Sequence, residues 1–145
     1  MIFGIDPRIN PDILYALASM GHGDSLVIAD ANFPSHSIAE TTIWGQSLQW
    51  SVDAITALKL TLSVIPIDPY DPENPPVLGM QVVGAPNDIP KVIAASKPIL
   101  SEKEADITLI ERFSFYESAS NAFVILRTVE SLPYGNFIIR KGVIL

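Results

Sequence analysis

The chain has 145 residues, ordinary for one domain, and its 48% hydrophobic and 17% charged content supplies a core and excludes disorder. Sixteen acidic against nine basic side chains give a formal charge of −7, which repels a phosphate backbone and argues against nucleic acid as a partner. The absence of cysteine excludes disulfides and cysteine-ligated metals.

The first helix is expected over residues 11–20. Asn10 is a good N-cap, Pro11 suits the first helical position, and Asp12 favours the helix dipole. Ile13, Leu14, Leu17 and Ala18 share one face, and Gly21 is placed to end the helix. A short apolar strand follows over residues 26–29, ending at Asp30. Asn32, Pro34 and Ser35 mark a loop, and residues 38–50 carry no clear pattern. Ser51 is read as the cap of a helix to about Leu58, with Val52, Ile55 and Leu58 inward. Residues 60–67 read as a buried strand.

Four prolines in the nine residues Asp68–Pro76 remove donors and fix backbone angles, so this stretch is a surface loop. A strand resumes over residues 77–83, and Asp88 is placed to cap a short helix over residues 89–95. A strand (107–110), a helix (113–122) and a strand (123–127) follow with short joins, which favours parallel pairing through a right-handed crossover. Residues 132–136 form a turn and 137–143 a last strand. The expected fold class is α/β: a single domain over 1–145, with one predominantly parallel or mixed sheet and helices on both faces.

No apolar run approaches bilayer length. The most apolar stretch, residues 54–67, is interrupted by Lys59 and three threonines or serines, so no membrane partner is expected. The start, MIFGIDPRINPD, lacks a basic region followed by an apolar core, and a cytoplasmic location is the simplest expectation. A mean hydropathy of +0.33 is high for a small monomer, which points to apolar surface buried between subunits of a homo-oligomer.

Four segments carry side chains suited to chemistry. His22 lies between Gly21 and Gly23, which leave the imidazole uncrowded. Imidazole is the side chain whose ordinary pKa straddles neutral pH, so it can give and take protons. Local sequence reads at least as well as a solvent-exposed histidine in a helix-ending loop. Asp30 ends a strand, where ligands bind in open α/β sheets, and a carboxylate there accepts hydrogen bonds from hydroxyls. A local turn with Asn32 is the slightly favoured alternative. Asp24 reads as a solvated loop charge.

Arg112 falls where a strand yields to a helix, again at a ligand edge, and its guanidinium offers five donors in a fixed fork. The alternative is a surface ion pair with Glu111 or Glu117. Tyr116 can offer its ring face to an apolar edge of a ligand, or it packs in the core with Phe113 and Phe115. Tyr134, Gly135 and Asn136 form a turn first, with Asn136 and the backbone around Gly135 available to hydroxyls. His22 and His36 make no metal-ligand pattern with nearby carboxylates, and His36 reads as a loop histidine. No phosphate-cradling glycine motif or nucleophile elbow occurs.

Taken in order, Met20-Gly21-His22-Gly23-Asp24, Val27 to Pro34, Glu111-Arg112-Phe113 with Phe115-Tyr116-Glu117, and Tyr134-Gly135-Asn136 leading to Lys141-Gly142-Val143 resemble the fucose mutarotase and ribose pyranase family. The resemblance spans essentially the whole chain. It implies that family's α/β fold, a ring-like homo-oligomer (typically a decamer), a free monosaccharide as substrate and no cofactor. It implies that His22 is the proton donor and that Asp30, Arg112 and Tyr134-Gly135-Asn136 bind the sugar. The ribose branch usually has a histidine where this chain has Arg112, so the resemblance points to L-fucose. The alternatives are a pyranase exchanging ribose ring forms and a non-catalytic sugar-binding subunit. An extended strand between His22 and Asp30 sets their Cα atoms on the order of 20 Å apart. Either the chain folds back around Gly23, or adjoining subunits each supply part of one pocket, which is the arrangement we favour.

Overall fold

The computed structural model describes residues 1–145, and its core follows from strict alternation along the strands. Leu26 and Ile28 of β1 (Ser25–Ala29), Val124 and Leu126 of β5 (Val124–Arg127), and Phe137 and Ile139 of β6 (Phe137–Arg140) face one side. Val27, Ala29, Ile125 and Ile138 face the other. Successive strand side chains point to opposite faces, so a run that is apolar at every position must be covered twice. Helices α1 (Pro11–Ser19), α3 (Ala54–Leu62) and α4 (Lys91–Ser101) cover the first face. Helices α2 (Ser35–Ala39) and α5 (Arg112–Ser120) cover the second. Each fully buried Leu, Ile or Phe in these layers contributes roughly 1.5–3 kcal/mol. No helix is long and apolar enough to cross a membrane.

The sheet is mixed, with strand order β2-β5-β1-β6-β3-β4, where β2 is Ser47–Gln49, β3 is Val77–Met80 and β4 is Ile107–Ile110. Strand β1 runs parallel to β5, β5 to β2, and β3 to β4; β6 alone runs antiparallel, between β1 and β3. The reason is the short join from β5 to β6. Residues 128–136 hold no helix to carry the chain across a face, so β6 can only return the opposite way. That join therefore stays at the sheet edge where β1, β3 and β4 end.

Several expectations are corrected. Residues 60–67 do not form a strand: α3 continues through Leu62. Ala54, Ala57, Leu58, Leu60, Thr61 and Leu62 of α3 are all buried, and an unbroken buried run such as residues 60–62 cannot be told from a buried strand by periodicity. The helix is capped by Asp53, not Ser51; the Asp53 carboxylate accepts from the Thr56 N–H at 2.7 Å. Helix α4 begins at Lys91, after Pro90, and runs through Pro98 to Ser101. The one carbonyl that Pro98 leaves without a helical donor, on Ala94, belongs to an exposed residue on the solvent side.

Strands β4 and β5 point the same way but are not neighbours, because β3, β6 and β1 lie between them. The patternless residues 38–50 contain the end of α2 and the three-residue edge strand β2. Three boundaries shorten: α1 ends at Ser19 with Met20 already extended, β3 ends at Met80, and β6 ends at Arg140. The Lys141 ammonium meets the free carbonyls at the α1 terminus, donating to Met20 O at 2.6 Å and Leu17 O at 3.1 Å.

The cap assignment yields a direct test. Asp53→Ala is expected to cost about 1 kcal/mol in urea unfolding, and Ser51→Ala to fall within experimental error. The reverse pattern would restore Ser51 as the cap.

Candidate functional site

At the carboxyl edge of the parallel strands lies a cavity of about 260 Å³, lined by residues from four separate stretches of chain. Asp30, Asn32 and Phe33 follow β1; Met80 ends β3 and Val83 follows it; Arg112 and Tyr116 open α5 after β4; Pro133, Tyr134 and Asn136 lie on the join to β6. A volume just below the usual range of roughly 300–1,000 Å³ suits a ligand of monosaccharide size. Phe33, Tyr116 and Tyr134 give part of the cavity lining an aromatic character, and further rings pack behind it. Phe33 meets Phe115 and Tyr116 edge-to-face, at centroid distances of 5.8 and 5.5 Å, and Phe113 meets Tyr116 at 6.2 Å.

Asp30 organises the polar side. Its side chain is almost wholly buried, yet it is fully engaged. One carboxylate oxygen accepts from the backbone N–H of Asn32 (3.0 Å) and Phe33 (2.8 Å). The other accepts from Gly135 N (3.2 Å) and Asn136 Nδ2 (3.2 Å). Asn136 Oδ1 accepts in return from Asp30 N at 2.8 Å. The local turn with Asn32 and the cavity-lining role are thus both present. Burial raises the Asp30 pKa from the ordinary aspartate value, and the four hydrogen bonds from Phe33, Asn32, Gly135 and Asn136 pull against that rise. The net effect is a carboxylate readier to take a proton than an exposed one.

Gly135 is required by packing. A Cβ there would lie 2.8 Å from Glu130 Cγ. Tyr134 adopts φ +60°, a left-handed conformation uncommon for a bulky residue, and its hydroxyl accepts from Val83 N at 3.1 Å. That bond ties the β6 join to the end of β3 across the cavity mouth. Glu130 braces the same join, accepting from Leu132 N at 2.9 Å and from Ala54 N, at the start of α3, at 3.2 Å.

Arg112 forms no ion pair with Glu111 or Glu117. Glu111 instead caps α5, accepting from Phe113 N at 2.8 Å and Ser114 N at 3.1 Å, and these bonds hold its carboxyl below the usual glutamate range. The guanidinium carbon lies 4.7 Å from the Phe113 ring centroid, and the buried Nε has no hydrogen-bond partner. A buried donor without an acceptor beside a cavity is a ready partner for a ligand oxygen.

Asp30, Arg112, Tyr116, Tyr134 and Asn136 thus meet in one cavity, with Gly135 supplying a backbone N–H to Asp30. His22 does not join them. It lies before β1, at the other end of the strand, with its side chain 56% exposed, and Nε2 is 3.0 Å from Asp68 Oδ2. The chain does turn at Gly23 (φ +89°), but toward Lys141, whose carbonyl accepts from Gly23 N at 2.9 Å. Within one chain, His22 and the cavity occupy opposite edges of the sheet. Sequence reasoning missed Met80 and Val83; the strand-end rule that located Asp30 applies equally to them, but their apolar side chains carry no chemical signal. It also missed Glu130 and Asp68, whose partners are distant in sequence.

The fold and the cavity define a single-domain α/β protein with a small, aromatic-walled polar pocket at the strand ends of a mixed sheet. Comparison with known proteins sharpens this. Residues 3–144 match the model of the RbsD / FucU transport protein family, and the chain belongs to that family. Atu2016, a protein described as a candidate for sugar binding, is 44% identical over 100% of this chain and 97% of its own, with a TM-score of 0.92. FucU from Bifidobacterium longum is 35% identical over 98% of this chain and 99% of its own, with a TM-score of 0.86. The fucose mutarotase of Streptococcus pneumoniae, solved with L-fucose, is 35% identical over 99% of this chain and 100% of its own, with a TM-score of 0.85.

Asp30→Asn tests the knot. The amide would present a donor where the structure needs acceptors, leaving buried N–H groups unpaired at roughly 1–3 kcal/mol each. We expect a lower melting temperature by thermal unfolding and lost sugar affinity by calorimetry. Wild-type values for both would show that Asp30 holds nothing together.

Proposed function

We propose that this protein is a sugar mutarotase that interconverts the α and β anomers of a free monosaccharide, with L-fucose as the expected substrate. The observation that carries this reading is the convergence of Asp30, Arg112, Tyr116, Tyr134 and Asn136 on one cavity of monosaccharide size. Hydroxyl-binding groups face an aromatic wall there, as a sugar with one polar and one apolar side requires. The structural likeness to a fucose mutarotase that binds L-fucose supports the choice of sugar.

Anomers exchange through the open-chain aldehyde. The anomeric hydroxyl loses a proton as the bond from the anomeric carbon to the ring oxygen breaks, and the ring oxygen gains one. Rotation about the first carbon–carbon bond and reclosure give the other anomer. No electrons leave the sugar, so the chemistry asks only for a positioned acid and base, worth typically two to four orders of magnitude. His22 donates the proton to the ring oxygen. Asp30, giving up one of its four hydrogen bonds, or a nearby water takes the anomeric proton, and the raised Asp30 pKa suits that role. Arg112, Tyr134 and Asn136 hold the remaining hydroxyls, so that only the reacting end moves.

Because His22 lies at the opposite sheet edge, the reading places His22 of one copy over the cavity of the next in a homo-oligomer, with a decameric ring the expected assembly. Exposed apolar side chains at both ends support such a contact: Val83, Phe113 and Leu132 beside the cavity, and Val143, Ile144 and Leu145 beyond the β6 terminus near His22.

Magnetisation-transfer NMR on equilibrated L-fucose, ribose and galactose tests the activity. Faster exchange between anomer signals is expected with L-fucose; acceleration with ribose alone would establish the pyranase alternative, and binding without acceleration a non-catalytic subunit. His22→Ala is expected to slow exchange at least about a hundredfold while binding persists. Arg112→Ala should weaken sugar affinity about tenfold or more with little change in melting temperature. Unchanged affinity would reduce Arg112 to a surface charge.

A further inference from the structure

The proline-rich segment after α3 has no part in the cavity, but its first residue is the partner of His22. We infer that Asp68 is a positioning residue for His22: it fixes the imidazole's orientation and tautomer, leaving Nδ1 as the nitrogen that exchanges protons with the sugar. The inference rests on the mutarotase reading, which gives His22 a substrate to act on.

The geometry is specific. His22 Nε2 lies 3.0 Å from Asp68 Oδ2, and the side chains are 56% and 28% exposed. An ionised carboxylate only accepts, so Nε2 must carry the hydrogen and donate it. The hydrogen bond from His22 is the largest influence holding the Asp68 carboxyl below its ordinary range, and the nearby charge of Arg140 adds to it. Asp68 therefore stays ionised wherever a histidine titrates, and places a fixed negative charge behind the imidazole. Nδ1 must carry a proton to protonate a ring oxygen, and with Nε2 already bearing its hydrogen that makes the donating ring an imidazolium. A carboxylate behind a catalytic imidazole plays this part in hydrolytic triads.

Asp68 is itself held. Residues 66–68 lie against the end of β6: Gly142 N donates to Pro66 O at 2.8 Å, and Ile67 bridges to Lys141. A Cβ on Gly142 would lie 2.7 Å from both Asp68 N and Asp68 Oδ1, so only glycine lets the segment sit this close. The other charged groups around His22 are committed elsewhere. Asp24 Oδ2 accepts from Gly21 N at 2.8 Å, the Lys141 ammonium caps α1, and the Arg140 guanidinium bonds Asn74 in the proline-rich loop. Asp68 alone is left to orient the ring.

The test uses the full-length protein. Asp68→Asn keeps the shape and an acceptor but removes the charge; Asp68→Ala removes both. We expect kcat for anomer exchange to fall about tenfold or more, further for Asp68→Ala, with KM and melting temperature near wild type. Nitrogen-15 NMR of His22 should show the Nε2–H tautomer in the wild type and a mixture in Asp68→Ala. A wild-type kcat in both Asp68 variants, with His22→Ala inactive, overturns the inference and leaves the mutarotase reading standing. Hydrogen on Nδ1 of neutral His22 in the wild type also overturns it. An active His22→Ala removes both the inference and the place of His22 in the mechanism.

Discussion

The candidate site depends on one buried carboxylate bonded on both oxygens. Asp30 ends β1, and its four accepted hydrogen bonds bind two stretches of chain that are 105 residues apart. Without that knot the join between β5 and β6 has no reason to lie over the end of β1, and the polar side of the cavity disperses. Burying a carboxylate is costly unless its hydrogen-bonding capacity is met. Here the cost is offset by backbone N–H groups of Asn32, Phe33 and Gly135, which also gain partners they would otherwise lack. Burial leaves the same group with a raised proton affinity.

Topology explains why so many groups meet there. Five strands point one way and end at one edge, and the only strand running back, β6, begins at that edge. Strand ends and one turn therefore deliver Asp30, Met80, Arg112 and Asn136 to the same place. The opposite edge gathers a second constellation: His22 before β1, Lys141 and Gly142 after β6, and Asp68 after α3. Each edge holds half of what acid–base chemistry on a sugar would need, and a five-residue strand keeps the halves apart. On the proposed mutarotase reading, association of identical copies would bring such halves together, since every copy carries both.

Much was legible in the sequence. The caps Asn10 and Pro11, the apolar runs of β1 and β4, and the proline-rich loop report local preferences that tertiary structure did not override. Asp30, Arg112, Tyr116 and Asn136 could be singled out because a polar residue at a strand end or strand–helix junction lies at a ligand edge. What failed did so for identifiable reasons. Residues 60–62, just after Lys59, are buried without a break because α3 packs against both the sheet and α4, which obscures the helical period. Edge strand β2 is only three residues long and owes its extended form to pairing with β5.

The sequence by itself determined the α/β class and singled out most of the polar residues that line the cavity, because these are properties of single segments. Tertiary structure alone decided the rest: that β6 enters antiparallel at the centre, that the caps of the cavity are Tyr134 to Val83 and Asp30 to Asn136, and that Asp68 stands behind His22. These are contacts between residues 46 to 106 positions apart. No local pattern encodes them, since the free energy that selects such partners comes from burying both faces of the sheet at once.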